Sequence, residues 1–218
     1  MDVVVNAATS ADGKLSNRRR EQIAISGPDD FDRVDDLRAE SDAVMVGVGT
    51  VLADDPHLTV DESTSAVRTE RGEPPQPARV VADSRARTPP DARILDGVAR
   101  TYLLVSEAAP TERVERLEAQ DARVITVGDD RVDLEDGFET LATEGIDRLL
   151  VEGGGELIFS LFEADLVDEL SVFVGPTIIG GREAPTLADG DGFVEGFPEL
   201  SLESVERLDR GVVLRWRV

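Results

Sequence analysis

Residues 149–155, Leu149-Leu150-Val151-Glu152-Gly153-Gly154-Gly155, decide the fold. An apolar run typical of a buried strand leads directly into glycines, and an amphipathic segment over residues 157–166 follows. In this order, a strand, a glycine turn and a helix let backbone N–H groups at the start of the helix approach a phosphate. The stretch therefore predicts an α/β fold with an anion-binding turn, and a tight turn without a ligand is the alternative interpretation.

Outward from this stretch, strand-like and helical patterns alternate. Strands are predicted at residues 3–8, 43–46, 80–82, 102–105 and 124–127, and helices after Ser26, around Val114 and Leu117, and over residues 134–143. This alternation favours a mixed, mostly parallel central sheet flanked by helices. Near the end of the chain, residues 170–174, 177–179, 200–205 and 212–218 are strand-like without intervening helices, which predicts added antiparallel strands. Residues 61–78 are predicted to be an exposed loop, and residues 1–218 a single domain.

Composition excludes several classes of function. The net charge of −23, from 46 acidic and 23 basic residues, opposes binding to nucleic acid and to anionic membranes. Without Cys, and with His57 as the single His, the chain has no thiolate nucleophile, disulfide or Cys-ligated zinc, so we expect no metal. No apolar run approaches the roughly 20 residues of a membrane span, and no leader segment is visible, so we expect a cytoplasmic protein. Such acidity, with Arg in place of Lys, is typical of a high-salt cytoplasm and predicts a halophilic protein.

Four charged residues near predicted strand ends are candidates for chemistry. Lys14 is the only Lys of the chain. A compact ammonium differs from a guanidinium in reach and donor geometry, which favours a specific role for this residue. The alternative is a surface lysine on a loop without any function. Glu152 lies where a buried strand meets glycines, the edge at which α/β sheets bind ligands. Asp54 and Asp55 precede Pro56, where an Asx-type turn is the alternative.

The glycine patterns disfavour two common types of nucleotide-binding site. Gly180-Gly181 follows a strand-like run and offers a second surface for close approach. By contrast, Gly47-Val48-Gly49 lacks the third glycine of a Rossmann fingerprint, and no GxxxxGK[ST] motif occurs. A standard Rossmann site and a P-loop are therefore disfavoured.

Several short motifs follow one another along nearly the whole chain. They are Val5-Asn6-Ala7-Ala8-Thr9-Ser10-x-Asp12-Gly13-Lys14, Leu37-Arg38, Asp42-Ala43-Val44-Met45-Val46-Gly47 with Thr50, Ala53-Asp54-Asp55-Pro56-x-Leu58-Thr59-Val60, Asp83-Ser84-x-x-Arg87-x-Pro89, Glu152-Gly153-Gly154 and Gly180-Gly181-x-Glu183-Ala184-Pro185-Thr186. In this order they resemble the riboflavin-biosynthesis reductases, and most of all the stand-alone archaeal and fungal type.

The resemblance implies a dihydrofolate-reductase-like fold, a homodimer and NADPH as cofactor. It also implies reduction of the ribosyl group of 2,5-diamino-6-ribosylamino-4(3H)-pyrimidinone 5′-phosphate to the ribityl form. Two alternatives stay open: a 5-amino-6-(5-phosphoribosylamino)uracil reductase of the bacterial type, and a non-catalytic acidic ligand-binding domain. The bacterial relative is usually fused to a zinc deaminase, and the absence of Cys excludes that half here.

Site residues are carried over from the same motifs. The resemblance implies catalytic roles for Asp54, Glu152 and Lys14, and substrate contacts from these three with Asn6 and Arg38. The cofactor contacts that it implies are Thr50, Ser84, Arg87, Gly153, Gly154, Gly155, Gly180 and Gly181. One departure concerns Asp61, where many family members have an Arg expected to bind the substrate's phosphate. We expect Arg38 or the run Arg18-Arg19-Arg20 to supply that charge instead.

Overall fold

A computed structural model describes all residues, 1–218. The chain forms two compact units: unit 1 comprises Met1 and residues 35–150, and unit 2 comprises residues 2–34 and 151–218. The helix α1 (Pro28–Ala39) contributes residues to both units. That residues 1–218 act as one reductase domain stays a prediction.

Unit 1 is a sheet of strands connected by helices. Its strands lie in the order β5-β4-β3-β2-β6, and β2, β3, β4 and β5 pair in parallel. The strands are β2 (Ala43–Gly47), β3 (Ala78–Ala82), β4 (Thr101–Val105), β5 (Arg123–Thr126) and β6 (Arg148–Val151, whose last residue belongs to unit 2). The helices are α2 (Val48–Asp54), α3 (Glu62–Glu70), α4 (Thr111–Glu118) and α5 (Leu134–Thr143), with a short 3-10 helix at Arg93–Leu95. All five residues of β4 are buried, as expected for a parallel strand covered on both faces.

Unit 2 combines parallel and antiparallel pairing. The strand β1 (Asp2–Ser10) pairs in parallel with β7 (Glu169–Gly175). The hairpin of β8 (Ser201–Leu208) and β9 (Gly211–Arg217) is antiparallel and continues from β7 through β9. The helix α6 (Gly155–Glu163) follows the triple glycine. Ile25, Phe173 and Val213 form a buried apolar cluster, against which Ile179 also packs.

The mostly parallel sheet, its flanking helices and the antiparallel strands near the end of the chain are confirmed. No helix has the length and apolar character that a membrane crossing requires.

The loop predicted over residues 61–78 is wrong in part, because α3 occupies Glu62–Glu70, whereas residues 71–77 form neither helix nor strand. Asp61 caps α3 by accepting a hydrogen bond from the Thr64 N–H at 2.7 Å. The helix is anchored by Arg68, which is 2% exposed and donates to the carbonyls of Ala39 and Ser41 at 2.8 Å each. The charged side chain of Arg68 thus occupies the buried position that an apolar side chain occupies in most helices.

One predicted strand is absent, and one side chain of α1 lies in an unexpected environment. Residues 177–179 are not a strand, because the Asp12 carboxylate accepts the N–H group of Ile179. Phe31, which shares a helical spacing with Val34 and Leu37 in α1, is 61% exposed. Helical periodicity therefore predicts α1 correctly but not which side chains its neighbours cover.

Candidate active site

In unit 2, the loop after β1 fixes Lys14. The Ser10 hydroxyl donates to Asp12 Oδ1 at 2.7 Å and accepts from the Lys14 N–H at 2.9 Å. The Lys14 Nζ donates to the carbonyl of Ala184 at 3.0 Å. An ammonium carries three donors, so this contact leaves donors for a ligand oxygen. The predicted catalytic lysine is thus held against the segment that contains Ala184.

Asp12 holds the second glycine surface in place. Its carboxylate accepts hydrogen bonds from the N–H groups of Ile179 at 3.0 Å and Gly180 at 2.7 Å. These backbone N–H groups, with the Ser10 hydroxyl, lower the Asp12 pKa to about 2. Gly180 and Gly181 have φ of +67° and +91°, values that residues other than glycine rarely adopt. Sequence reasoning quoted Asp12 only as part of a motif and missed this function.

The triple glycine serves two purposes. Gly153 and Gly154 have φ of +135° and +94°, and a Cβ on Gly153 would meet no atom within 4 Å. A Cβ on Gly155 would instead lie 2.5 Å from the carbonyl oxygen of Thr186, so this residue needs glycine for packing. The predicted close approach of a ligand therefore suits Gly153 and Gly154 better than Gly155. Glu152, just before them, is half-buried.

Asn6 belongs to a buried polar network of unit 2. Its side-chain oxygen accepts from Arg33 Nη2 at 2.9 Å. Arg33 also donates to Asp30 Oδ1 and to the Ser171 hydroxyl, at 2.8 Å and 2.9 Å. The amide nitrogen of Asn6 keeps its donors for a substrate. Sequence reasoning missed Asp30 and Arg33, whose spacing of three residues on α1 was the available signal.

In unit 1, Asp54 and Asp55 lie at the end of α2, and only Asp55 has a partner. Asp55 accepts from the Arg93 N–H at 2.8 Å and lies 3.4 Å from Arg93 Nε, so it connects α2 to the 3-10 helix. Asp54 makes no hydrogen bond or ion pair, and although it stays exposed, partial desolvation raises its pKa. Thr50 lies four residues earlier on α2, on the same helix face. Asp54 is the carboxylate of this pair that is available to a ligand.

Two of the predicted cofactor contacts, Ser84 and Arg87, follow β3 in unit 1. The Ser84 hydroxyl accepts from the Val132 N–H at 3.0 Å. Arg87 is exposed, and its Nε lies 4.0 Å from Oδ1 of the buried Asp83, a distance too long for a hydrogen bond. Asp83 Oδ2 binds Thr88, whereas Oδ1 has no hydrogen-bond partner. The Arg87 guanidinium therefore keeps its donors for an anion.

The side chains of Arg38 and Asp61 both bind other groups of unit 1. Arg38 Nη1 donates to the carbonyl of Thr59 at 2.8 Å and lies 3.6 Å from Asp35. The hydrogen bonds with which Asp61 caps α3 lower its pKa, the Thr64 N–H contributing most. Asp61 thus has a structural role at the position where the resemblance leads one to expect a cation.

A model of the RibD C-terminal domain family matches residues 2–214. The chain belongs to this family. It is 47% identical over 216 residues to the 2,5-diamino-6-ribosylamino-4(3H)-pyrimidinone 5′-phosphate reductase of Archaeoglobus fulgidus, covering 99% of this chain and 97% of the relative. It is 46% identical to the reductase of the same name from Methanothermobacter thermautotrophicus, covering 92% and 89% of the two chains.

A solved structure agrees with this family membership at the level of the fold. The pyrimidine reductase-like protein of Corynebacterium diphtheriae matches with a TM-score of 0.80, over 99% of this chain and 91% of that protein. The two are 18% identical, so the match bears on the fold alone. The predicted dihydrofolate-reductase-like fold of the RibD C-terminal domain family is confirmed.

Proposed function

We propose that this chain is the reductase of riboflavin biosynthesis that converts the ribosyl group of 2,5-diamino-6-ribosylamino-4(3H)-pyrimidinone 5′-phosphate to ribityl. One observation carries the proposal: the 47% identity to the Archaeoglobus fulgidus reductase extends over 99% of this chain and 97% of the relative. Membership of the RibD C-terminal domain family over residues 2–214 supports it.

We further propose NADPH as the cofactor, which supplies hydride when bound. The open Cβ position of Gly153 and the positive φ of Gly154 are compatible with a dinucleotide close to the backbone. Arg87, with donors that no neighbour occupies, suits a 2′-phosphate, and such a contact favours NADPH over NADH. The other proposed contacts are Thr50, Ser84, Gly155, Gly180 and Gly181.

Asp54, Glu152 and Lys14 are the proposed catalytic residues. Reduction at C1′ of the open-chain imine becomes easier when the imine nitrogen carries a proton. A carboxylate beside that nitrogen stabilises the cation, and Asp54 has no partner of its own to compete for the role. Lys14 and Asn6 keep donors for substrate oxygens, and Arg38 is the proposed cationic contact.

We also propose that the protein is a homodimer and that it is adapted to high salt. Leu202 and Val205 on β8 are 58% and 60% exposed, and an exposed apolar strand surface suits pairing with a second copy in a homodimer. The net charge of −23 suits a halophilic, cytoplasmic protein, since salt screens its self-repulsion. Light scattering should give a dimer mass, and the unfolding midpoint should rise with potassium chloride concentration.

The activity is tested by supplying the purified protein, in concentrated potassium chloride, with NADPH and either pyrimidine. We expect the diaminopyrimidinone phosphate to be reduced faster than 5-amino-6-(5-phosphoribosylamino)uracil. A preference for the uracil would favour the bacterial type of reductase. Absence of NADPH oxidation with both compounds would contradict the reductase assignment and leave a ligand-binding domain.

A further inference from the structure

The five residues Asn17 to Glu21 of unit 2 form a self-contained turn. The Asn17 side-chain oxygen accepts from the N–H groups of Arg19 at 2.8 Å and Glu21 at 3.2 Å. Its amide nitrogen donates to the Glu21 carboxylate at 2.7 Å, and its carbonyl accepts from the Arg20 N–H at 2.9 Å. Arg20 has φ of +62°. Asn17 therefore holds the turn in one conformation and engages its only carboxylate.

The arginines of this turn have no counter-ion. Arg18, Arg19 and Arg20 are exposed, and none of their guanidinium groups makes a hydrogen bond or an ion pair. Acidic residues outnumber basic ones by 46 to 23 in this chain, so partners for three adjacent cations are plentiful. Adjacent like charges repel one another, and an anionic ligand relieves that repulsion.

A cavity lies beside these arginines within unit 2. Its volume is about 350 Å³, and Arg18, Arg19, Gly180 and Gly181 line it with Asn17 and Glu21. Such a volume lies within the roughly 300–1,000 Å³ typical of small-molecule sites. Two guanidinium groups against one carboxylate leave this lining positive. A Cβ on Gly181 would lie 3.8 Å from Arg18 Cβ, so the turn and the glycine surface approach each other closely.

The opposite wall of the cavity is fixed before any ligand binds. Asp12 holds the N–H groups of Ile179 and Gly180, which leaves the Gly181 N–H without an acceptor. Gly181 lines the cavity and has no side chain, so a ligand can approach its backbone N–H closely. A guanidinium binds phosphate through two parallel hydrogen bonds.

We propose that the guanidinium groups of Arg18 and Arg19 and the N–H group of Gly181 form a binding site for a phosphate monoester. Assigning that phosphate to the pyrimidine substrate rests on the proposed function and makes Gly181 a substrate contact instead of a cofactor contact, whereas the anion site itself does not depend on the proposed function. The phosphates of a dinucleotide share this chemistry and are the other source that the experiment distinguishes.

Calorimetric titration with ribose 5-phosphate, with ribose as the uncharged reference, tests the site without turnover. We expect binding of the phosphate ester alone, and the double variant Arg18→Gln/Arg19→Gln should weaken it about tenfold or more, since charge-assisted hydrogen bonds are lost. The matched control Arg71→Gln/Arg131→Gln removes the same charge from two exposed arginines of unit 1 that form no ion pair, and should change the affinity less than about twofold. Because Arg18 and Arg19 are exposed, unfolding midpoints should stay close to that of the parent.

A second variant and a second ligand separate the outcomes. Arg18→Lys/Arg19→Lys keeps the charge and should retain part of the affinity, since a lysine cannot make the paired contacts. Unchanged NADPH affinity in the glutamine variant assigns the site to the substrate. A fall in NADPH affinity alone supports the anion site and assigns it to the dinucleotide. Equal affinity of parent and glutamine variant for both ligands would overturn the proposal, whereas ribose 5-phosphate binding without NADPH oxidation would contradict only the proposed function.

Discussion

The loop around Lys14 in unit 2 and the end of α2 in unit 1 use charged side chains in opposite ways. Asp12 and Lys14 bind the backbone of residues 179–184 and thereby position it. Asp54 binds nothing in the chain, and its partial desolvation raises its pKa. The comparison separates charged groups that position backbone within unit 2 from a carboxylate of unit 1 that has no partner.

The largest expected effect comes from Asp54→Asn. We expect turnover to fall by roughly 10²- to 10⁴-fold, the usual contribution of a group that assists proton transfer, with NADPH affinity little changed. Asp55→Asn is the matched control one residue away: Asn tolerates its φ of +42°, and a surface ion pair contributes little. Steady-state kinetics of both variants measure the difference. Equal turnover in the two variants would contradict the assignment of the catalytic role to Asp54 and not to Asp55.

The pH dependence sharpens the assignment to Asp54. Since desolvation raises its pKa, its carboxylate takes up a proton at a higher pH than an ordinary Asp, whose pKa is 3.8. The active carboxylate form is then lost as pH falls through that raised value. We expect an acidic limb in the kcat/KM profile above pH 3.8, and no such limb in the residual activity of Asp54→Asn. An identical limb in the variant would assign it to another group.

A smaller effect is expected from Asp12→Asn, which removes one of the two charges that position backbone in unit 2. An amide accepts the N–H groups of Ile179 and Gly180 less strongly than a carboxylate, so their hydrogen exchange should become about tenfold faster. In the parent protein, the lowered pKa means that Asp12 supports this segment fully above about pH 4, and that its support is lost as pH falls through about 2. Exchange rates unchanged by the substitution would show that other contacts hold the segment.

The smallest effect is expected from Lys14→Arg. The charge is kept, but a planar guanidinium cannot reproduce the geometry of the ammonium at the Ala184 carbonyl. Loss of one hydrogen bond, worth about 1 kcal/mol, should lower kcat/KM roughly fivefold. Parent-like kinetics would mean that a cation of either shape suffices at this loop.

Much of the fold follows from local sequence pattern. Buried parallel strands such as β4 are short apolar runs, and α5 lies where its pattern predicts it. Two failures share one cause, which is a hydrogen bond between a charged side chain and distant backbone. Arg68 anchors α3 from the interior, and Asp12 takes the N–H group that a strand at residues 177–179 would pair. Such contacts join residues distant in sequence, so local periodicity does not reveal them.

Residue type and position along the chain singled out the candidate residues, but not the partners that the structure gives them. The positions of Asp54 and Gly153 suit a ligand-facing role, and both were singled out from strand ends and glycines. The link from Lys14 to Ala184 and the pairing of Asn6 with Arg33 depend on tertiary contacts. The need for glycine at position 155 likewise arises from Thr186, a residue far along the chain.

The most direct test of the central claim follows the hydrogen that the reaction delivers. The protein is incubated with the diaminopyrimidinone phosphate and NADPH that carries deuterium at the transferable position, and the product is analysed by mass spectrometry and proton NMR. The account predicts a ribityl product with one deuterium at C1′. Product without deuterium, or with deuterium at any other carbon, would contradict it.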